Sequence, residues 1–300
     1  MWLFASKRKS EFGKTFDFVG KWKIWFVISA IIVAIGIGGL MKFGLNLGID
    51  FTGGTLMEVK FEKPVVMEDV RAALTLENPI IVSSGENSFV IRAKHIDSET
   101  HDAVLEDLQA KFGAVEETRF NTIGPTVGET LKKRAFYALG IALVMIVLYI
   151  AFAFRKIPRT VSPWKFGICA IVALLHDTFI PLGIFSALGV EIDGLFITAM
   201  LTILGFSVHD TIVVFDRIRE RLKTQGRDES FKEVANASLR QTMVRSLNTS
   251  LTVMITLLAL LFFGSASIFY FVLALVIGIT VGTYSSIFIA TPLLVLWQKK

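Results

Sequence analysis

A backbone crossing a bilayer finds no water for its peptide groups, so a run of about 20 apolar residues is committed to helix before any other feature is weighed. The 300-residue chain holds such runs at 24–41, 137–154, 166–188, 195–215, 243–263 and 268–297. They set six membrane spans, one followed by five, with a polar stretch at 42–134 between the first two. Hydrophobic residues make up 53% of the chain and charged ones 19%, too apolar a balance for a water-soluble domain.

A net charge of +5 could suit nucleic acid, but the basic residues flank the apolar runs, where they act as orientation signals. Lys7, Arg8, Lys9, Lys14, Lys21 and Lys23 lie in the leader 1–23. Arg155, Lys156, Arg159 and Lys165 follow span two, and Arg217, Arg219, Arg221, Lys223, Arg227, Lys232 and Arg240 follow span four. The alternate links carry only Glu191 and Asp193, or no charge. This places both termini in the cytoplasm and 42–134 outside it, a multi-pass arrangement with no nucleic-acid role. The first run is longer than the core of a cleavable signal and lacks a small-residue cleavage site, so it reads as a retained anchor. A single cysteine, Cys169, leaves no intrachain disulfide or zinc cluster to consider.

Within 42–134, alternation predicts strands at 55–61, 80–83, 88–92 and 115–122, with helices at 67–76 and 98–112. The order β-α-β-β-α-β is the ferredoxin-like plan. The fold class expected is therefore an all-α bundle of six transmembrane helices at 24–41 and within 135–300, carrying a small α+β ferredoxin-like extracytoplasmic domain. On the opposite side, 217–240 is mostly charged, Gly226 breaks it, and Ser230-Phe231-Lys232-Glu233 fits a capping box. A short amphipathic surface helix leading into span five is expected there.

An ionised carboxylate at mid-membrane costs about 2.5–3.5 kcal/mol on the lenient scale, so Asp177 and Asp210 need a partner, water or a proton. Asp210 lies about two turns inside span four and Arg245 at a comparable depth in span five. The two could pair and be released by proton binding, or Arg245 could snorkel while Asp210 makes a polar contact within the bundle. Asp177 is either a second proton stop or a protonated acid bonded to a neighbouring helix. His176 and His209 could relay protons or simply bond at interfaces. Asp216, beside Arg217 and Arg219, reads as a salt-bridged helix end. Ser246, Asn248, Thr249, Ser250 and Thr252 could hydrate a path or join helices. Gly53, Gly54, Gly124, Pro125 and Gly128 bracket the polar stretch as hinges or as rigid turns. The chain has no GxxxxGK[ST] loop, GxSxG elbow or HExxH helix, so no nucleotide, metal or other cofactor is expected and no enzymatic step.

Gly48-Ile49-Asp50-Phe51-Thr52-Gly53-Gly54-Thr55, Gly124-Pro125-Thr126-Val127-Gly128-Glu129, the run from Val208-His209-Asp210-Thr211-Ile212 to Glu220, and Arg245-Ser246-Leu247-Asn248-Thr249-Ser250 together resemble the SecF family. The resemblance implies one half of a resistance-nodulation-division-like transporter, paired with SecD and working beside SecYEG, SecA and YajC to pull a translocating polypeptide outward with proton influx. It also implies proton-pathway roles for Asp210 and Arg245, with a further carboxylate on SecD. Asp177 has no role that the resemblance supplies. A drug or lipid exporter half, or a structural scaffold for a channel, are the competing classes. The first would need a larger apolar pocket than the polar stretch can hold, and the second would leave Asp210→Asn harmless.

Overall fold

The computed structural model describes residues 17–155, 162–224 and 229–298. Lys7, Arg8, Lys9 and Lys14 of the leader, Lys156 and Arg159, and Gly226 and Arg227 lie outside the described residues. In chain order the elements are helix α1 (Trp22–Phe43), the single turn α2 (Ile49–Thr52), strand β1 (Gly54–Phe61), helix α3 (Met67–Ala73), strands β2 (Ile80–Gly85) and β3 (Ser88–Ala93), helix α4 (Ser98–Phe112) and strand β4 (Val115–Ile123). Then come helices α5 (Pro125–Ala153), α6 (Pro163–Ala187), α7 (Gly194–Thr224) and α8 (Phe231–Phe263). The last span runs through α9 (Phe269–Ser285), a π turn (Ser286–Ala290) and α10 (Thr291–Gln298).

Six of the described helices are long and apolar enough to cross a membrane, and each contains one of the six apolar runs. Several extend well past their runs. Pro125 opens α5 at its first position, where the missing N–H costs nothing, so the helix begins ten residues before the 135 boundary read from the sequence. The surface helix expected at 217–240 is not a separate element among the described residues. Arg217–Thr224 continue α7, and the capping box at Ser230 starts α8, which then runs unbroken to Phe263. Glu233 N–H donates to Ser230 Oγ at 3.3 Å and Ser230 N–H donates to Glu233 Oε2 at 2.8 Å. No glycine or proline occurs between 231 and 263 to end the helix once it is capped.

The chain divides into two units. One is Leu45–Ile141 with Gly189–Ile197. Its strands form an antiparallel sheet in the order β2-β3-β1-β4. Alternate residues Met57, Val59 and Phe61 of β1, Phe89 and Ile91 of β3 and Ile81 of β2 are buried in one cluster with Val70 of α3 and Val104 and Leu108 of α4. Each such side chain contributes about 1.5–3 kcal/mol on burial. Asp97 caps α4 by accepting from Thr100 N–H at 3.0 Å. Helix α3 ends at Ala73 instead of 76, where Leu74 turns into extended backbone at φ −85° and ψ 128°. Leu74 and Leu76 still pack on the cluster edge.

The other unit comprises the described residues up to Gly44, Ala142–Leu188 and those from Thr198 on. Helices α6, α7 and α9 form its interior, whereas α1, α5 and α8 leave residues such as Ile24, Val144 and Leu251 exposed. Water-driven burial is absent between lipid and leucine, so close backbone approach must hold these helices. Gly36 and Gly39 of α1 meet Gly183 and Ala187 of α6, and a Cβ on Gly183 would stand 2.4 Å from Gly36 Cα. Phe154, Phe166 and Phe215 pack ring on ring with centroids 5.1–6.1 Å apart, tying the end of α5 to α6 and α7.

Gly183→Leu should force α1 from α6 and lower stability by about 1–3 kcal/mol. Gly140→Ala, where an added Cβ meets nothing within 4 Å, should leave it unchanged or slightly improved. Thermal unfolding of the purified protein in detergent reads the difference.

Candidate functional site

Two carboxylates sit inside the helical unit, and their surroundings differ. Asp177 of α6 is fully buried. Its Oδ2 accepts from Ser207 Oγ of α7 at 2.5 Å and from Ser285 Oγ of α9 at 2.6 Å. Its Oδ1 accepts from His176 Nδ1 at 2.9 Å. The knot therefore joins three helices with three of the carboxylate's roughly four acceptor positions used. The His176 ring stacks on Tyr284, whose hydroxyl donates to the Trp25 carbonyl of α1 at 3.0 Å, and His176 Nε2 is buried without a hydrogen-bond partner. Pro181, one turn on from Asp177, has no N–H to return to the Asp177 carbonyl, so the helix ladder is opened at this level.

Asp210 of α7 is 1% exposed and far less well supplied. It lies three residues from Ser207, so both project from one face of α7. Its nearest donor is Ser250 Oγ of α8 at 3.4 Å. That hydroxyl has one proton and two closer acceptors, Thr283 Oγ1 of α9 at 2.6 Å and the Ser246 carbonyl at 3.0 Å. Thr283 itself donates to the Ile279 carbonyl at 2.8 Å, which leaves it to accept from Ser250. Ser246 Oγ, buried beside the carboxylate, completes no hydrogen bond of normal geometry. Asp210 is thus a buried acid with no committed donor and no ion pair among the described residues.

The pairing of Arg245 with Asp210 expected from their depths does not form in this chain. Arg245 is exposed and makes no ion pair among the described residues. The reason is helical phase: Ser246 and Ser250, four apart, share the buried face, and Arg245 is turned about 100° away. The polar stripe on α8 also divides. Ser246 and Ser250 face inward, Asn248 is exposed, and Thr249 and Thr252 donate to carbonyls of their own helix at 3.0 and 2.8 Å. The two His-Asp echoes differ likewise, since His176 bonds its aspartate while His209 is exposed. Asp216 forms the helix-end ion pair with Arg219, beside the Arg217–Glu220 pair at 2.5 Å. Ser207, Ser285 and Thr283 were not singled out from the sequence; for Ser207 the available signal was its i−3 spacing from Asp210.

In the other unit the bracketing glycines meet one another. Gly53 and Gly54 adopt φ +71° and +129°. A Cβ on Gly53 would stand 2.7 Å from Pro125 Cα, and one on Gly128 would stand 2.7 Å from Gly53 N. Gly124 lies beside His95. The entry to β1 and the start of α5 therefore touch backbone to backbone, which only glycine permits.

The family model described as "Protein export membrane protein SecD/SecF, C-terminal" matches residues 103–300, and the "SecD/SecF GG Motif" matches 38–65. Protein translocase subunit SecF of Thermobaculum terrenum is 48% identical, with 93% of each chain covered. Protein translocase subunit SecDF of Bacillus subtilis is 38% identical over 95% of this chain and 38% of its own length. The crystal structure of SecDF, a translocon-associated membrane protein from Thermus thermophilus, superimposes with a TM-score of 0.84 at 35% identity over 95% of this chain and 39% of that one. A SecDF structure described as a Super-membrane-facing form matches at 0.69 with the same identity and coverage.

Asp177→Ala should unpair His176, Ser207 and Ser285 together and destabilise the purified protein by about 1–3 kcal/mol. Asp210→Asn, which breaks no committed bond, should shift the same melting curve little.

Proposed function

The chain belongs to the SecD/SecF protein-export family, and we propose from that premise that it is the SecF half of a proton-driven machine in the cytoplasmic membrane, acting late in polypeptide export without ATP. A role in protein translocation follows from the family itself. The proton-driven part rests on Asp210, a carboxylate 1% exposed within a spanning helix, with Ser250 Oγ at 3.4 Å and Ser246 Oγ beside it in no hydrogen bond of normal geometry. A charge so poorly supplied is costly in this setting, and its protonation state changes with whatever approaches it. Asp177, by contrast, serves as the fixed polar joint of α6, α7 and α9, and a proton pathway through it is the secondary reading.

The chain spans 39% of the length of the solved SecDF chains it matches, so much of such a protein is absent from this one. SecD is the natural complement. An exposed guanidinium on a spanning helix asks for a partner, and Arg245 supports a reading in which its charge faces the SecD half and completes the proton path there. SecYEG, SecA and YajC are the wider partners this reading carries, with the translocating polypeptide as cargo.

Topology follows the basic residues: both termini in the cytoplasm and 42–134 outside it, where the β-α-β-β-α-β order and the sheet order support a ferredoxin-like domain. The two SecDF structures, matched at TM-scores of 0.84 and 0.69, support a cycle between more than one arrangement.

In proteoliposomes holding SecD with this chain, Asp210→Asn should lower proton flux and late export by about 10²-fold, the scale of losing an acid from a proton-transfer step. The complex should still assemble. Undiminished flux and export in that variant would remove the proton-driven reading.

A further inference from the structure

The link between α6 and α7 is the least expected member of its unit. Gly189–Ile197 belongs with Leu45–Ile141 and not with the helices that the link joins. It is held there by backbone. Leu47 and Ile192 form a parallel bridge, in which Gly48 N–H donates to the Ile192 carbonyl at 2.9 Å and Ile192 N–H donates to the Asn46 carbonyl at 2.8 Å. Asn46 Nδ2 donates to the Gly189 carbonyl at 3.0 Å. A Cβ on Gly48 would stand 3.3 Å from Asp193 Cβ, so the two segments are in close contact.

Charge adds to this grip. Asp50 of α2 accepts from Gly194 N–H, the first residue of α7, at 2.7 Å. Asp193 accepts from Phe196 N–H at 2.8 Å and caps the same helix. Glu191 pairs with Arg92 of β3, both half-buried. Burial pushes the Glu191 and Asp193 carboxyls up, and Asp50 adds to both, while Arg92 and Arg119 pull against it. Arg92 is thus the cation set against Glu191, and Arg119 the one set against Asp193.

We propose that Gly189–Ile197 is a coupling strap, in which Arg92 and Asp50 are positioning residues that fasten the α6–α7 link to the β-sheet unit. The inference rests on the proton-driven reading above and names how its work is transmitted. The strap leads directly into α7, the helix that carries Asp210, and leaves α6, which carries Asp177. A change of helix position caused at Asp210 thus reaches the sheet unit through Gly194 and Asp50, along a short hydrogen-bonded route.

The test uses the SecD-containing complex in proteoliposomes, reading proton flux and export separately. Arg92→Glu and Glu191→Arg should each lower export about tenfold while flux persists, the loss expected when one coupling interaction is broken. The double swap Arg92→Glu with Glu191→Arg should return export to near the parent value. As a second arm, Leu47→Cys with Ile192→Cys, in a Cys169→Ala background, should keep export when oxidised, because the strap and the sheet unit already move as one body. Unchanged export in both single variants, flux falling in step with export, failure of the swap to rescue, or a block by the disulfide each overturns the strap. Asp210→Asn in the same vesicles separates the cases: if it leaves flux intact, the proton-driven reading is what has failed.

Discussion

Hydrocarbon offers no hydrogen bonds, and that single deficit organises this molecule. It forces the six spans into helix, draws glycines to the α1–α6 contact where backbones must meet, and turns buried hydroxyls and carboxylates toward acceptors and donors on their own or neighbouring helices. Asp177 is the fully provided case, tied to Ser207, Ser285 and His176. Asp210, in the same helical unit and three residues from Ser207, is the exception. The contrast is between one acid bonded on three sides and another left with a single long hydroxyl contact.

The sheet unit follows ordinary aqueous rules, with alternating residues of its strands buried on two helices. What is unusual is how it is fastened. Gly53 and Gly128 bring the entry to β1 and the start of α5 into backbone contact. The Gly189–Ile197 link adds a third attachment, made of backbone bonds and a half-buried ion pair.

Much of this was legible in the residues. Six spans, four strands in the right order and the Ser230 capping box follow from length, period and local chemistry alone. Helix phase was not. Depth along the chain put Arg245 beside Asp210, but only knowledge of which face of α8 is covered shows that Ser246 and Ser250 point inward and Arg245 does not. Ser285 was hidden because a lone hydroxyl in an apolar run has no pattern of its own. The α6–α7 link shows only Glu191 and Asp193 in the sequence, which give no hint that Arg92, about a hundred residues earlier, pairs with Glu191.

The wide turn at Ser286–Ala290 carries one more consequence. Pro292 cannot donate to the Phe288 carbonyl, and the chain answers by taking up an additional residue in that turn. Such a loop of slack lets relatives gain or lose a single residue there without rotating the buried Leu294 and Val295 outward toward acyl chains. Length variation within the final span should therefore concentrate at this point, and hydropathy periods counted across it should slip by one.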